Sequence, residues 1–262
     1  WLCAISRLAG DEALEDVRNG CLDDPGPNFA FAGDTGLIAL VRRHPGRVYL
    51  GSQAEFVPEL LALPSTNWNR GVLRVPMSLE NGAMLDFYCG QLATLETVSS
   101  LVYSGPYGDG TYERQGALVE QELQAERFVQ WVKERSATRG ASAIIAAPLQ
   151  VAPAVDGDPP LEAINQSAYD TMSNAFKALV SETWTPECTL CRDNPLVQGG
   201  LFDTGNAWET HLLGWKTAGW RVLSTERSYV TGQYATSLPS GTGRDLPPSP
   251  FYGLRSEIEV SQ

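Results

Sequence analysis

A chain of 262 residues, 43% hydrophobic and 19% charged, has enough apolar side chains to bury a large core, which excludes an intrinsically disordered polypeptide. Its 31 acidic and 19 basic residues give a net charge of −12, a surface that repels phosphate backbones. The single basic cluster, Arg42-Arg43-His44, is too small to track a duplex, so nucleic acid is excluded as a partner; no apolar run reaches eighteen residues, so no membrane span is expected.

The chain begins at Trp1, without an initiator Met or a charged-then-apolar leader, and is expected to be processed or incomplete there. Leu2-Cys3-Ala4-Ile5 reads as a strand already inside a sheet, which places the first strand of the fold before Trp1. Asp23-Asp24-Pro25-Gly26-Pro27 is a turn cluster, and Gly36 to Val41 is an apolar strand closed by a polar turn through Pro45-Gly46. Gly71 to Val75 and Met84 to Cys89 read as paired strands, with Glu80-Asn81-Gly82 as the hairpin turn, because Asn-Gly between strand-like runs supplies the positive φ a tight turn needs.

Residues 116–135 show the clearest helical period: Leu118, Ala125, Phe128, Val129 and Val132 share one face, opposite Glu120, Arg127 and Glu134. A strand over 143–147 follows, then a loop from Val151 to Pro160. A second amphipathic helix is expected over 166–182 through Tyr169, Met172, Phe176 and Val180. Arg221 to Ser224 reads as a strand, Ala235 to Pro250 as a Ser/Gly/Pro-rich loop, and Leu254 to Val260 alternates apolar and charged residues as a half-buried closing strand. No repeat or linker divides the sequence, so residues 1–262 are expected to form one domain.

Five cysteines leave an odd one. Cys188 and Cys191 form a lone CxxC, without the second ligand pair of a structural zinc site; a local disulfide and free thiols are both open. Cys3 and Cys89 lie in apolar runs and read as buried small hydrophobes, and Asn165-Gln166-Ser167 is a glycosylation sequon.

Several segments together resemble a known family. Ile144 to Pro153 (IIAAPLQVAP) is similar to the strand "ILAGDFNAGP" of the endonuclease/exonuclease/phosphatase superfamily, the DNase I-like fold. Gly36-Leu37-Ile38-Ala39-Leu40 with Arg43-His44-Pro45 resembles "GLALLSRHPI"; Asn81-Gly82 to Leu92 resembles "NG…LDVYCTHL"; Leu223 to Arg227 resembles "LSTER"; and Ser249 to Arg255 resembles "SDHYGVR". Order and spacing point to the sphingomyelinase-like branch. The resemblance implies a four-layer α/β sandwich, two packed and mostly antiparallel sheets flanked by helices.

It also implies Mg-assisted phosphodiester hydrolysis, with chemistry at positions this chain fills differently. The metal-holding Glu of "LCLQEV" falls on Ser6, a neutral hydroxyl, so no metal or other cofactor is expected. The phosphate-contacting His falls on Gln91. The Asp and Asn of "GDFN" fall on Pro148 and Gln150, the Asp of "W-x-DH-I" falls on Thr210 beside His211, and the Asp-His pair near the end falls on Pro250 and Phe251. General acid–base catalysis needs a titratable group at the reacting oxygen, and Phe is none.

The expectation is a catalytically inactive phosphodiesterase homologue that acts as a binding or structural scaffold for a protein partner. Two readings compete with it: an active Mg-dependent sphingomyelinase-like phosphodiesterase, and a subunit of a larger extracellular assembly. Tyr103, Tyr107, Trp208 and Trp215 are the candidate binding aromatics around the cleft mouth; amphipathic rings of this kind suit a protein interface and would also meet membrane lipid. Asp86, Glu80 and Glu96 read as solvated strand ends or, less favoured, as a rebuilt metal site. An extracellular location follows from the resemblance and the CxxC alone.

Overall fold

The computed structural model describes residues 47–49, 55–57, 72–79, 81–92, 113–194, 197, 205–228 and 252–260. The expected strands at Leu2–Ile5 and Gly36–Val41, the turn cluster at 23–27, and the loops at Tyr103–Gly110 and Ala235–Pro250 lie outside these.

Within the described residues the order is β1 (Arg47–Tyr49), β2 (Glu55–Val57), β3 (Val72–Leu79), β4 (Met84–Gly90), α1 (Glu113–Arg139), β5 (Ser142–Pro148), α2 (Gln166–Ala175), β6 (Lys177–Ala178), β7 (Thr210–Trp215), β8 (Arg221–Ser228) and β9 (Gly253–Glu259). The larger sheet runs β1-β3-β4-β5-β7-β6, with β2 also on β3, while β8 and β9 form a two-stranded sheet of their own. Only β4 and β5 are parallel, joined by the α1 crossover; the other pairs are antiparallel. This is an α/β architecture, a mixed sheet with two helices packed on one face and a two-stranded sheet beside it.

Local chemistry sets the register. Gly82 sits at φ 81°, Leu79 and Ala83 close the turn through a 2.9 Å bond, and Asn81 Oδ1 accepts from the Ala83 N–H at 3.0 Å. Pairing then runs from Ser78 with Met84 to Val72 with Gly90. Pro76 would interrupt a strand needing donors on both sides. It falls between the two segments that share the outer edge of β3: β1 pairs with residues 77–79 and β2 with 72–74.

Period 2 gives the larger sheet two apolar faces. Val72, Tyr88, Ala143, Ile145, Ala147 and Leu213 pack with Ala125, Phe128, Trp131 and Val132 of α1 and with Ala168 and Met172 of α2. Leu73, Val75, Met77, Leu85, Phe87 and Ile144 form the other face, where they meet Trp220 at the entrance to β8.

Two expectations need correction. The second helix ends at Ala175: Phe176 turns extended and buries its ring in the main core, and Lys177–Ala178 pairs with Gly214 and Leu213 of β7. A sheet ladder replaces the last two turns, so Val180 is not on a helix. Glu120, expected on the solvent face of α1, is buried with Gln121 and Gln124 on the side that meets the end of β5.

Candidate functional site

Parallel pairing brings the carboxyl ends of β4 and β5 to the same edge of the sheet. The last paired residues are Tyr88 and Ile145; Gln91 follows the end of β4 and Pro148 ends β5. Pro148 is also the partner of Thr210, the first residue of β7, and Ala147 is the partner of His211. The Thr210 hydroxyl donates to the Tyr252 carbonyl at 3.2 Å, which brings Tyr252 to the same place. The structure therefore gathers Gln91, Pro148, Gln150, Thr210 and His211 at one sheet edge. Ser6, Pro250, Phe251, Tyr103 and Tyr107 lie outside the described residues, as do Glu80, Glu96 and His44.

The floor of this edge is the segment Leu149–Val151, clamped from three directions. Leu149 N–H donates to the Glu209 carbonyl at 3.0 Å. Gln150 is held at φ 61°, and its carbonyl accepts from Gln121 Nε2 of α1 at 2.9 Å. The Val151 carbonyl accepts from His211 Nε2 at 2.8 Å. Gln150 is a buried linker of floor and helix here.

His211 is wholly buried between Trp208 and Tyr169, ring centroids 5.0 and 5.4 Å away. Burial drives its pKa down to about 4 against the weaker opposing pull of the Val151 carbonyl, so the ring is neutral at pH 7. With Nε2–H spent on that carbonyl, Nδ1 has no hydrogen-bond partner among the described residues. This geometry makes His211 a core fastener, not a proton shuttle at the surface.

The aromatics divide. Trp208, expected at the cleft mouth, is buried: its Nε1–H donates to the Thr210 carbonyl at 2.8 Å and its ring meets Trp184 edge-on at 5.0 Å. Packing against Trp184 and His211 uses the faces a ligand would need. Trp215 is half-buried against the main core, with Lys216 Nζ 4.4 Å over its ring. Cys188 and Cys191 are joined in a disulfide, and Cys89, buried as expected, is also disulfide-bonded instead of being a free thiol.

Asn165 does different work from a glycan acceptor. It caps α2 at φ 45°, its Oδ1 accepting from Ala168 N–H, while Nδ2 donates to the Leu118 carbonyl and to Gln121 Oε1 at 2.9 and 3.0 Å. Both Nδ2 hydrogens are thus committed, and Gln121 passes the tie on to Gln150. Asn165→Ala is expected to lower stability by about 2 kcal/mol, by loss of the cap and of an amide bridge between helices. Urea denaturation measures this. Protein from a glycosylating host should have an intact mass with no glycan at Asn165; a glycosylated Asn165 in native protein would contradict these bonds.

Sequence reasoning passed over a buried charge cluster lower in the same sheet. Asp86, read as a solvated strand end, is completely buried on the helix side of β4. Its Oδ2 accepts from Nε and Nη2 of Arg74 at 3.1 and 3.0 Å, and Oδ1 pairs with Arg139 Nη1 from the end of α1. Ser136 Oγ lies 3.2 Å from Oδ2 and 2.8 Å from the Tyr88 hydroxyl. Burial chiefly pushes the Tyr88 hydroxyl up to about 12, so it remains a donor. The available signal was period 2: Asp86 and Tyr88 share a face, and the hairpin register brings Arg74 opposite Tyr88.

No family model matches the sequence, and comparison with curated proteins found no match. The chain is similar in structure to endonuclease/exonuclease/phosphatase proteins. A mannosyl-6-phosphatase of Bacteroides thetaiotaomicron is 11% identical with a TM-score of 0.47, over 83% of this chain and 68% of that one. A 3'-5' exonuclease of Neisseria meningitidis is 12% identical with a TM-score of 0.48, over 79% of this chain and 71% of that one. Sphingomyelinase C of Streptomyces griseocarneus is 13% identical with a TM-score of 0.42, over 63% of this chain and 52% of that one. Likeness of this degree is one of fold and carries no chemistry across.

Proposed function

On this DNase I-like scaffold we propose that the chain is a catalytically inactive relative of the metal-dependent phosphodiesterases, serving as a binding or structural scaffold for a protein partner. The observation that carries the reading is the chemistry at the sheet edge: Pro148 and Thr210 pair there, Gln91 follows the end of β4, and His211 is turned into the core with Nε2 spent on the Val151 carbonyl. Neither a proline nor an amide can hold a divalent cation as a carboxylate does, and a neutral buried imidazole cannot exchange protons with a substrate. A Mg²⁺ ion fits poorly among these side chains.

The acidic net charge of −12 supports a protein partner over nucleic acid. The disulfides at Cys188–Cys191 and at Cys89 support an oxidising, extracellular compartment. The test is turnover of sphingomyelin and of bis(p-nitrophenyl) phosphate by the folded protein, in Mg²⁺ and in EDTA. No turnover in either is the expected result. Mg²⁺-dependent turnover that co-purifies with the protein and disappears in EDTA would overturn the reading in favour of an active enzyme.

A further inference from the structure

The Cys188–Cys191 disulfide has a cation built over it. Arg227 Nη1, from β8, lies 3.4 Å from Cys188 Sγ, 3.3 Å from Cys191 Sγ and 3.1 Å from the Cys188 carbonyl. Its guanidinium sits over the Tyr252 ring at 4.8 Å, and Nε faces Glu187 at 3.3 Å. A neutral disulfide gains little from a guanidinium at both sulfurs; a thiolate gains a great deal. Loop closure does not explain the bond either, since two cysteines three residues apart constrain the unfolded chain least. The two sulfurs also differ in access: Cys188 is half-buried, Cys191 fully buried.

We infer that Cys188–Cys191 is a thiol-exchange site, a disulfide reducible in the folded protein by small thiols, with Cys191 leaving as a thiolate held by Arg227. The thiolate of one small thiol attacks Cys188 Sγ; the S–S bond breaks and its electron pair goes to Cys191 Sγ. A second thiol attacks the mixed disulfide at its own sulfur, forming the small-molecule disulfide and releasing Cys188, which takes up that thiol's proton. Two electrons and one disulfide are exchanged. Asp193, with a carboxylate oxygen within 4.8 Å of the sulfurs, and Glu187 oppose an anionic attacker, which favours neutral or cationic thiols over anionic ones.

The site reaches the candidate cleft through Thr189, between the two cysteines. Its hydroxyl accepts from the N–H groups of Glu209 and Thr210 at 2.8 and 2.9 Å, and its carbonyl accepts from Tyr252 N–H at 2.7 Å. The proposal stands whether or not the cleft is catalytic.

The experiment equilibrates the full chain with cysteamine:cystamine mixtures of graded ratio, then traps thiols by alkylation and maps Cys188 and Cys191 by peptide mass, with circular dichroism on each sample. Reversible reduction of this pair while the fold is intact is expected. Arg227→Gln should shift the equilibrium toward the disulfide on the order of tenfold and move alkylation of Cys191 to higher pH, with Arg227→Lys restoring part of both. Persistence of the pair as a disulfide until the protein unfolds would overturn the proposal. So would an Arg227→Gln protein, folded by circular dichroism, whose redox ratio and pH profile match the parent's.

Discussion

Asp86→Asn is expected to destabilise the protein by about 3–5 kcal/mol, the range for breaking a buried ion pair from one side. The substitution keeps the shape of the side chain and its access to Ser136 and Tyr88. It removes the negative charge that pairs with both Arg74 and Arg139, whose side chains are 8% and 15% exposed. The guanidinium groups cannot shed their charge by titration, so the desolvation that Asp86 offsets is no longer offset by it. For a chain of this length the effect corresponds to roughly 10 °C in thermal midpoint, a large share of the ~5–15 kcal/mol by which folded domains are stable.

Two further measurements separate charge from packing. Because the pair is buried, added salt should leave the loss nearly unchanged, whereas a surface pair would be screened. In an Arg74→Met, Arg139→Met background, Asp86→Leu should recover most of the lost stability, because none of these three charges then remains to be solvated. An Asp86→Asn protein melting within about 2 °C of the parent would show that the cluster is wet and that its charges are screened.

The parts of the fold legible in the sequence were those where one local force decides. Asn81-Gly82 fixed a hairpin because the turn admits little else, and residues 116–135, within the 27 residues of α1, were legible through Leu118, Ala125, Phe128, Val129 and Val132 on one face. Where two forces compete, the outcome was hidden. The apolar spacing of Phe176 and Val180 continues a helix on paper, yet pairing of Lys177–Ala178 with β7 wins. Strand β7 went unassigned because Thr210, His211 and Gly214 break a clean alternation. Gly214 is there because a Cβ would lie 2.6 Å from Thr217 Cγ2 and 2.9 Å from a Leu179 methyl.

The candidate site was half legible for a related reason. Ordering the motifs picked out Gln91, Pro148, Thr210 and His211, and the register of β5 and β7 pairs Pro148 with Thr210 and Ala147 with His211. Orientation was not readable. Glu120 and Asp86 were placed in solvent because charged residues usually go there; both are buried, and Asp86 has its cationic partners up to 53 residues away in sequence. Long-range pairing of polar groups leaves no local period, so only the folded chain displays it.

His211 carries the second large prediction. The folded protein holds its pKa near 4, against 6.5 for an exposed histidine. In the pH window between these values the unfolded chain binds a proton that the native state refuses. Stability from this group is therefore complete above pH 6.5 and falls as the pH drops toward 4, by about 3 kcal/mol in total. The cause is visible in the bonding: a second proton would go on Nδ1, which has no hydrogen-bond partner among the described residues, between the Trp208 and Tyr169 rings. His211→Gln can still donate an amide N–H to the Val151 carbonyl but cannot titrate. It should lose stability at pH 7.5 and keep more of the remainder on acidification, so that the gap between the two proteins narrows by about 3 kcal/mol from pH 7.5 to pH 4. Carboxylates, Glu209 included, are common to both proteins and cancel in the difference. Urea denaturation at half-unit pH steps measures the gap. A constant gap across that window would mean that His211 titrates as an exposed residue does, which would put it back at the surface of the cleft, with a proton to give.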